Sequence, residues 1–151
     1  KKGPRPIFGI TSKYRCDREA CSGTTDNGGG LYVFDVKYKA FDPRFGVKRE
    51  DLFQLHTYIG QYGNRALING CGFVYPISED IWNKLNLDKS RGLISNVIRQ
   101  QGKDIPFHVL FLKIPDNISD EFNKLMSNQC RMFMDTIQSK ILTKEKVAAW
   151  A

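Results

Sequence analysis

Residues 31–41 read LYVFDVKYKAF, and this stretch decides the fold prediction because β-branched and aromatic residues predominate in it. As a strand, it places Asp35, Lys37 and Lys39 on one face, since successive side chains point to opposite sides of a sheet. That face is apolar where the strand begins and polar from its middle onward. The pattern is typical of a strand that runs out of a hydrophobic core into a cleft.

The rest of the chain predicts further strands and helices around residues 31–41. A glycine-rich loop that ends in DNGGG at 26–30 precedes that strand. The other predicted elements are a short strand at 7–11, a helix at 49–62, a strand at 66–75 stopped by Pro76, a short helix from Ser78 to Leu85, a helix around 92–101, a strand at 107–114 and a last helix from Phe122 to Ile137.

This order of elements predicts an α/β fold, with a mixed central β-sheet flanked by helices. No boundary divides the sequence, so residues 1–151 are predicted to form a single domain. The chain starts at Lys1 rather than at a methionine, which leaves open that it is a piece of a longer protein.

Two of the predicted helices carry apolar stripes at helical spacing. The stripe of the helix at 49–62 is predicted to be Leu52, Leu55, Ile59 and Tyr62. The stripe of the last helix is predicted to be Phe122, Leu125, Met126, Cys130, Phe133, Met134 and Ile137. On the first of these helices, Asp51, Gln54 and Tyr58 follow at i, i+3 and i+7 and share a neighbouring face.

The overall charge is positive, with 23 Lys and Arg residues against 16 Asp and Glu and a net charge of +7. Such an excess favours a polyanionic partner, although a basic surface that only aids solubility is the plain alternative. No apolar run approaches the roughly 20 residues of a membrane span, and no apolar segment follows the basic N-terminus as in a secretory signal. We therefore expect no membrane partner and an intracellular, cytoplasmic location.

Cysteine and histidine residues do not form a recognisable zinc pattern. Cys16 and Cys21 could share a disulfide or two metal positions, but a second close pair of ligands is missing from the sequence. Free thiols in a reducing compartment are the favoured prediction. His56 is predicted to be a partly exposed residue that faces away from Gln54 and Tyr58. His108, within an apolar run, is predicted to be a hydrogen-bonded core histidine.

The tripeptide Asp35-Val36-Lys37 carries the chemistry, because a strand projects Asp35 and Lys37 from one face roughly 7 Å apart. The Asp35 carboxylate can bind a hard divalent cation, and the Val36 carbonyl can supply a further oxygen ligand. Beside such a cation, Lys37 can orient an attacking water. The tripeptide alone is common, however, and a surface ion pair is the plain interpretation of it in isolation.

The motifs around this tripeptide resemble a known family. FDVKYK at 34–39 resembles the (D/E)XK half of the PD-(D/E)XK nucleases, and QLHTY at 54–58 resembles the QxxxY helix of RecB-like exonuclease domains. EDLFQLHTYIGQYG at 50–63, followed by a strand that ends in FVYP at 73–76, is most similar to the McrC-like branch. The similarity covers residues 31–114 and implies a restriction-endonuclease-like core.

The resemblance implies a metal-dependent nuclease, a hydrolase of DNA phosphodiester bonds that uses Mg²⁺ or Mn²⁺ in restriction or another defence or DNA-processing system. In this family's pattern Asp35 is a metal ligand and Lys37 is the catalytic lysine. Gln54 and Tyr58 become catalytic-site supports that position DNA. Many such domains pair to cut two strands, so a homodimer or a partner subunit of a larger nuclease complex is an implied assembly.

Four basic residues close to the motif in sequence are candidates for holding DNA phosphates. They are Lys39, Arg44, Lys48 and Arg49. A solvated basic face explains the same residues almost equally well.

One departure from the family's pattern concerns the second acidic ligand. The family has Asp after Pro at the entry to the first strand, where this chain has Ile7 after Pro6. The acid could be replaced by Asp17, Glu19 or Asp26, of which Asp26 is nearest to the strand and is the predicted metal ligand. It could also lie upstream, or be lost. In the last case the domain is a catalytically degenerate module that binds nucleic acid or partners without cutting. A protein-interaction domain with coincidental motifs is a further alternative.

Overall fold

The computed structural model describes residues 8–11, 31–64, 67–116 and 119–142. Five strands and three α-helices lie within these residues, and a π-helical segment, Ile137–Leu142, follows the last α-helix. In chain order they are β1 (Phe8–Thr11), β2 (Leu31–Val36), α1 (Arg49–Gly63), β3 (Ile68–Ser78), α2 (Glu79–Lys84), β4 (Leu93–Gln100), β5 (Lys103–Ile114) and α3 (Phe122–Thr136).

The described strands form one sheet in the order β1-β2-β3-β5-β4. β1 is antiparallel to β2. The Leu31 amide donates to the Leu67 carbonyl at 2.7 Å, and the Lys37 amide donates to the Val74 carbonyl at 2.9 Å. Because the partner numbers rise together, β2 and β3 are parallel, with α1 as the connection between them. The sheet is therefore mixed, and the predicted α/β class is confirmed.

The predicted helix around 92–101 is wrong, because this stretch forms strand β4 and is joined to β5 by a two-residue turn. The turn residues Gln101 and Gly102 have φ angles of 50° and 77°. Positive φ at both central positions is the geometry of a type I′ turn, whose twist matches that of a β-hairpin. The β-branched residues Ile94, Val97 and Ile98 are consistent with the strand assignment.

β4 is the last strand in the sheet order, so one side of it is an edge of the sheet within the described residues. In the hairpin register, the Val97 amide points away from β5. It donates to the side chain of the preceding Asn96 at 2.8 Å. The edge strand thus satisfies one of its own outward amides.

Predicted strand boundaries differ from the structure at the ends of β2 and β3 and at the start of β5, which begins at Lys103 and not at residue 107. β2 ends at Val36 and does not continue to residue 41, since the chain turns through residues 42–46. β3 does not stop at Pro76 but continues to Ser78. Proline has no backbone N–H to donate to a neighbouring strand. β2 has ended before Pro76, so no hydrogen bond to β2 is lost there.

The predicted short helix after Ser78 is confirmed as α2. The Ser78 hydroxyl accepts a hydrogen bond from the Ile81 amide at 3.4 Å, which is N-cap geometry. Trp82 of this helix is buried, and its indole N–H donates to the Asp88 carboxylate at 2.9 Å. This bond satisfies the polar end of an otherwise apolar side chain.

The chain forms two compact units. Among the described residues, the first contains residues 8–11, 31–36, 47–64, 67–73 and 95–108, and its buried hydrophobic residues include Val33, Leu55 and Phe73. The second contains residues 37–46, 74–94, 109–116 and 119–142. In the second unit, Phe41 packs edge-on against Tyr75 and Phe111, with ring centroids 4.9 and 5.0 Å away.

The last predicted helix is confirmed as α3, but its apolar stripe is largely not in a core. Thr136 is the one buried residue of the helix, while Leu125, Met132 and Met134 are exposed and Phe122, Met126 and Phe133 are half-buried. The stripe becomes buried only after the helix ends, at Ile137 and Ile141. Over the part of the chain that the structure describes, no helix is both long enough and apolar enough to cross a membrane.

Candidate functional site

Helix α1 turns polar side chains into the interior of the first unit. Asp51 is 6% exposed and Tyr58 is 7% exposed, and they are buried together with Leu55 and Ile59. The predicted stripe is therefore partly wrong, because Tyr62 is exposed and Leu52 is only half-buried. The buried face is rotated from the purely apolar stripe toward the face that Asp51 and Tyr58 share.

A hydrogen bond joins the two residues of the QxxxY motif. The Gln54 side-chain amide donates to the Tyr58 hydroxyl at 2.8 Å, from one turn earlier on α1. Gln54 is exposed while Tyr58 is buried, so the bond links a solvent-facing amide to a buried phenol. It fixes the orientation of the Tyr58 hydroxyl and leaves its proton available to another acceptor.

Asp35 and Val36 are the last two residues of β2, and both are half-buried. Helix α1 packs against β2, so the first unit contains Asp35 together with Asp51, Gln54 and Tyr58. Lys37 follows β2 directly; it is half-buried, and its amide pairs with β3.

Asp51 carries no role in the sequence prediction, although it is the buried acid of α1. The signal that points to it is its position three residues before Gln54 and seven before Tyr58, on one face of the helix. It also lies in the first turn, where a carboxylate is favoured by the helix dipole. Asp51 is therefore a buried carboxylate in the unit that contains Asp35.

The predicted metal ligands can be compared only in part. Asp26 lies outside the described residues, as do Ile7, Asp17 and Glu19. Among the described residues, no three or more His, Cys, Asp and Glu side chains are grouped so that they could hold a metal ion. Mg²⁺ in proteins is often bound through one or two carboxylates, with waters and substrate phosphates completing its shell. The Asp35 carboxylate and the Val36 carbonyl are hard oxygen donors that fit this chemistry.

The four predicted phosphate-binding residues are all exposed. Lys48 precedes α1 as its N-cap residue, and Arg49 lies over the Phe53 ring at 5.1 Å. Arg44 instead forms a salt bridge with Asp42 at 2.9 Å. The hydrogen bond to Asp42, together with its negative charge, raises the pKa of the Arg44 guanidinium above its ordinary value. The positive charge of Arg44 is therefore paired with a carboxylate.

The two histidines have structural partners. His108 is buried, its Nδ1 is hydrogen-bonded to the Ser95 hydroxyl at 2.8 Å, and its ring stacks with Phe34. The prediction of a satisfied core histidine is confirmed. His56 is half-buried, as predicted, and its Nδ1 contacts the side chain of Gln100.

The described cysteines, Cys71 and Cys130, are both free thiols, as predicted. Burial of Cys71 raises the pKa of its thiol from 9.0 to about 12. Cys130 is exposed on α3. Cys16 and Cys21 lie outside the described residues.

No family model matches this sequence, and a search of curated proteins finds no relative. The resemblance to the PD-(D/E)XK nucleases therefore depends on the motifs themselves, and on the β2-α1-β3 order in which the structure arranges them.

Proposed function

We propose that this protein is a metal-dependent nuclease with a restriction-endonuclease-like core that hydrolyses DNA phosphodiester bonds. The burial of Asp51 and Tyr58 on α1, the helix that packs against the Asp35 strand, is the observation that carries the proposal. If the motif were coincidental, these polar side chains would be expected on the solvated face of the helix. An acid is seldom among the buried residues of a protein, and a site that uses Asp51 and Tyr58 explains their position.

In the proposed site, Asp35 and the Val36 carbonyl would hold the divalent cation. Once bound, Mg²⁺ or Mn²⁺ supplies positive charge that stabilises the phosphoryl oxygens. Lys37, two residues further along the chain, donates hydrogen bonds to the attacking water and to a non-bridging phosphate oxygen. The Tyr58 hydroxyl, oriented by Gln54, positions the phosphate.

The basic residues then bind the flanking DNA backbone. Lys39, Lys48 and Arg49 are exposed and provide phosphate contacts that are independent of sequence. Arg44 contributes less because of its salt bridge with Asp42.

Cleavage of linear and circular DNA with Mg²⁺ or Mn²⁺ tests the proposal. Asp35→Asn and Lys37→Gln are each expected to lower the cleavage rate by about 100-fold or more. Asp104→Asn and Lys103→Gln make the same chemical changes at exposed positions of the β4–β5 hairpin and should leave the rate unchanged. Full activity of Asp35→Asn would overturn the proposal.

The second candidate is a catalytically degenerate module that binds DNA without cutting. It is favoured by Ile7 at the position of the family's acid and by the lack of a three-ligand group among the described residues. DNA binding that weakens steeply with salt, without cleavage at any metal concentration, would establish it.

A further inference from the structure

The turn that follows β2 presents aromatic rings to solvent. Tyr38 and Phe45 are each 76% exposed, more than any other large hydrophobic side chain among the described residues. Both belong to the same segment of the second unit, Lys37–Gly46. A single exposed aromatic residue is ordinary, but two at this level within eight residues of chain call for a partner.

The position of Phe45 is built into the backbone of the turn. The Asp42 carbonyl accepts hydrogen bonds from the amides of Phe45 and Gly46, at 3.2 and 2.9 Å. Gly46 has a φ of 64°, a conformation that glycine adopts without steric cost. The turn thus fixes the backbone that carries the exposed Phe45 ring.

The Asp42 side chain also holds Arg44, the residue that precedes Phe45. Its carboxylate accepts from the Arg44 amide at 2.9 Å, and from the Arg44 guanidinium at 3.1 and 2.9 Å. The guanidinium carbon in turn lies 5.3 Å from the centre of the Phe45 ring. This cation–π contact restrains the ring further and places positive charge beside it.

We propose that Phe45 and Tyr38 form a stacking site for unpaired nucleobases, so that the substrate of the proposed nuclease is single-stranded DNA or a frayed duplex end. This inference depends on the proposed function for its setting. Nucleobases stack on aromatic side chains regardless of their identity, and basic residues beside the rings hold the backbone. Within the segment Lys37–Gly46, Lys37, Lys39 and Arg44 carry positive charge and Asp42 carries negative charge. The whole chain has a net charge of +7. In an intact duplex the faces of the bases are already stacked and cannot reach the rings.

Binding is measured by fluorescence anisotropy in EDTA, with a labelled 20-nucleotide oligo(dT), its abasic counterpart and a 20-base-pair duplex. Phe45→Leu keeps an apolar side chain but removes the ring, and Phe45→Trp keeps a ring. Val97→Ala, at an exposed apolar residue of β4, is the control for general hydrophobicity.

Phe45→Leu is expected to raise the Kd for oligo(dT) about 5-fold to 100-fold, the range that follows from the loss of one stacked base. Its Kd for the abasic strand and for the duplex should change less than about twofold, because neither offers a free base to the ring. Phe45→Trp should bind oligo(dT) as the unmodified chain does, and so should Val97→Ala. Tyr38→Leu is expected to show the same selectivity as Phe45→Leu.

An unchanged Kd of Phe45→Leu for oligo(dT) would overturn the stacking site, as would an equal loss on the duplex. The equal loss would instead indicate a general contact, such as a protein-binding surface. The readout needs no metal, so its failure is separable from failure of the nuclease: selective loss in EDTA without any cleavage supports stacking alone. Metal-dependent cleavage with no effect of Phe45→Leu on binding rejects stacking alone.

Discussion

Two parts of this protein differ in which of their side chains are buried. The βαβ segment, defined as β2, α1 and residues 68–73 of β3, lies in the first compact unit, and α3 lies in the second. Both helices have fifteen residues. α1 buries two apolar and two polar residues, whereas α3 buries only Thr136 and leaves most of its apolar stripe accessible.

Apolar periodicity therefore predicts a helix but does not predict which of its residues are buried. α3 has the clearer apolar stripe, yet α1 has the better-buried face. Polar groups inside a core lower stability unless they are hydrogen-bonded, and Tyr58 has Gln54 as its partner. The hydrogen bond therefore offsets part of the cost of burying the Tyr58 hydroxyl, whereas most apolar side chains of α3 remain accessible to solvent.

Matched leucines give the largest expected contrast between the two parts. Leu55 of α1 is 0% exposed, and Leu125 of α3 is 39% exposed. Leu55→Ala should lower the free energy of unfolding by about 2–5 kcal/mol, because it leaves a cavity in a packed core. Leu125→Ala should cost less than about 1 kcal/mol, since its site is partly hydrated already. Urea denaturation of both variants measures the difference, and equal losses would show that α3 is packed as tightly as α1.

The buried thiol of Cys71, in the βαβ segment, makes the free energy of unfolding depend on pH. Burial raises the pKa of the Cys71 thiol to about 12, so the folded chain keeps a proton there that the unfolded chain releases near pH 9. Stability from this group is complete below pH 9 and falls as the pH rises toward 12, by at most about 1.4 kcal/mol per pH unit.

The check is to compare unfolding free energies between pH 8 and pH 10.5 for the unmodified chain and for Cys71→Ala. Subtracting one curve from the other removes the titration of all other groups and should leave a downward slope above pH 9. A flat difference for Cys71→Ala would show that its thiol ionises as freely in the folded chain as in the unfolded one.

The smallest expected effect concerns two pairs with identical spacing. Gln54 and Tyr58 on α1 are joined by a hydrogen bond, while Gln129 and Phe133 on α3 have the same i, i+4 spacing without a hydroxyl. A double-mutant cycle with Gln54→Ala and Tyr58→Phe should give a coupling energy of about 0.5–1.5 kcal/mol.

The same cycle on α3, with Gln129→Ala and Phe133→Leu, should give less than about 0.3 kcal/mol, since no hydrogen bond is lost. Thermal or urea unfolding of the single and double variants measures both cycles. Equal coupling in the two pairs would mean that helical proximity alone, rather than the hydrogen bond, links Gln54 to Tyr58.

Much of the fold was accessible to prediction where the signal is local. The Ser78 cap predicts α2, the apolar run at 107–114 predicts β5, and the aromatic and β-branched residues at 31–36 predict β2. Each of these signals acts within a few residues, so it does not depend on the rest of the chain.

The predictions were wrong where contacts between residues far apart in the sequence determine the local structure. β4 is exposed over most of its length, and it is a strand because it pairs with β5 across the Gln101–Gly102 turn. The orientation of α1 was missed in the same way, since an isolated helix gives no reason to bury Asp51 and Tyr58 in place of Tyr62. The Gln54–Tyr58 pair itself was predictable, because its spacing alone brings the two side chains together.

The capped amide of Val97 has a consequence for this protein at high concentration. An edge strand with exposed apolar residues such as Ile94 and Val97 is a template onto which a strand of another molecule can add. Because the Asn96 side chain already occupies the outward amide of Val97, an incoming strand would find no donor there and would have to break that bond to pair. The Asn96 side chain therefore opposes the addition of a further strand at the middle of the β4 edge.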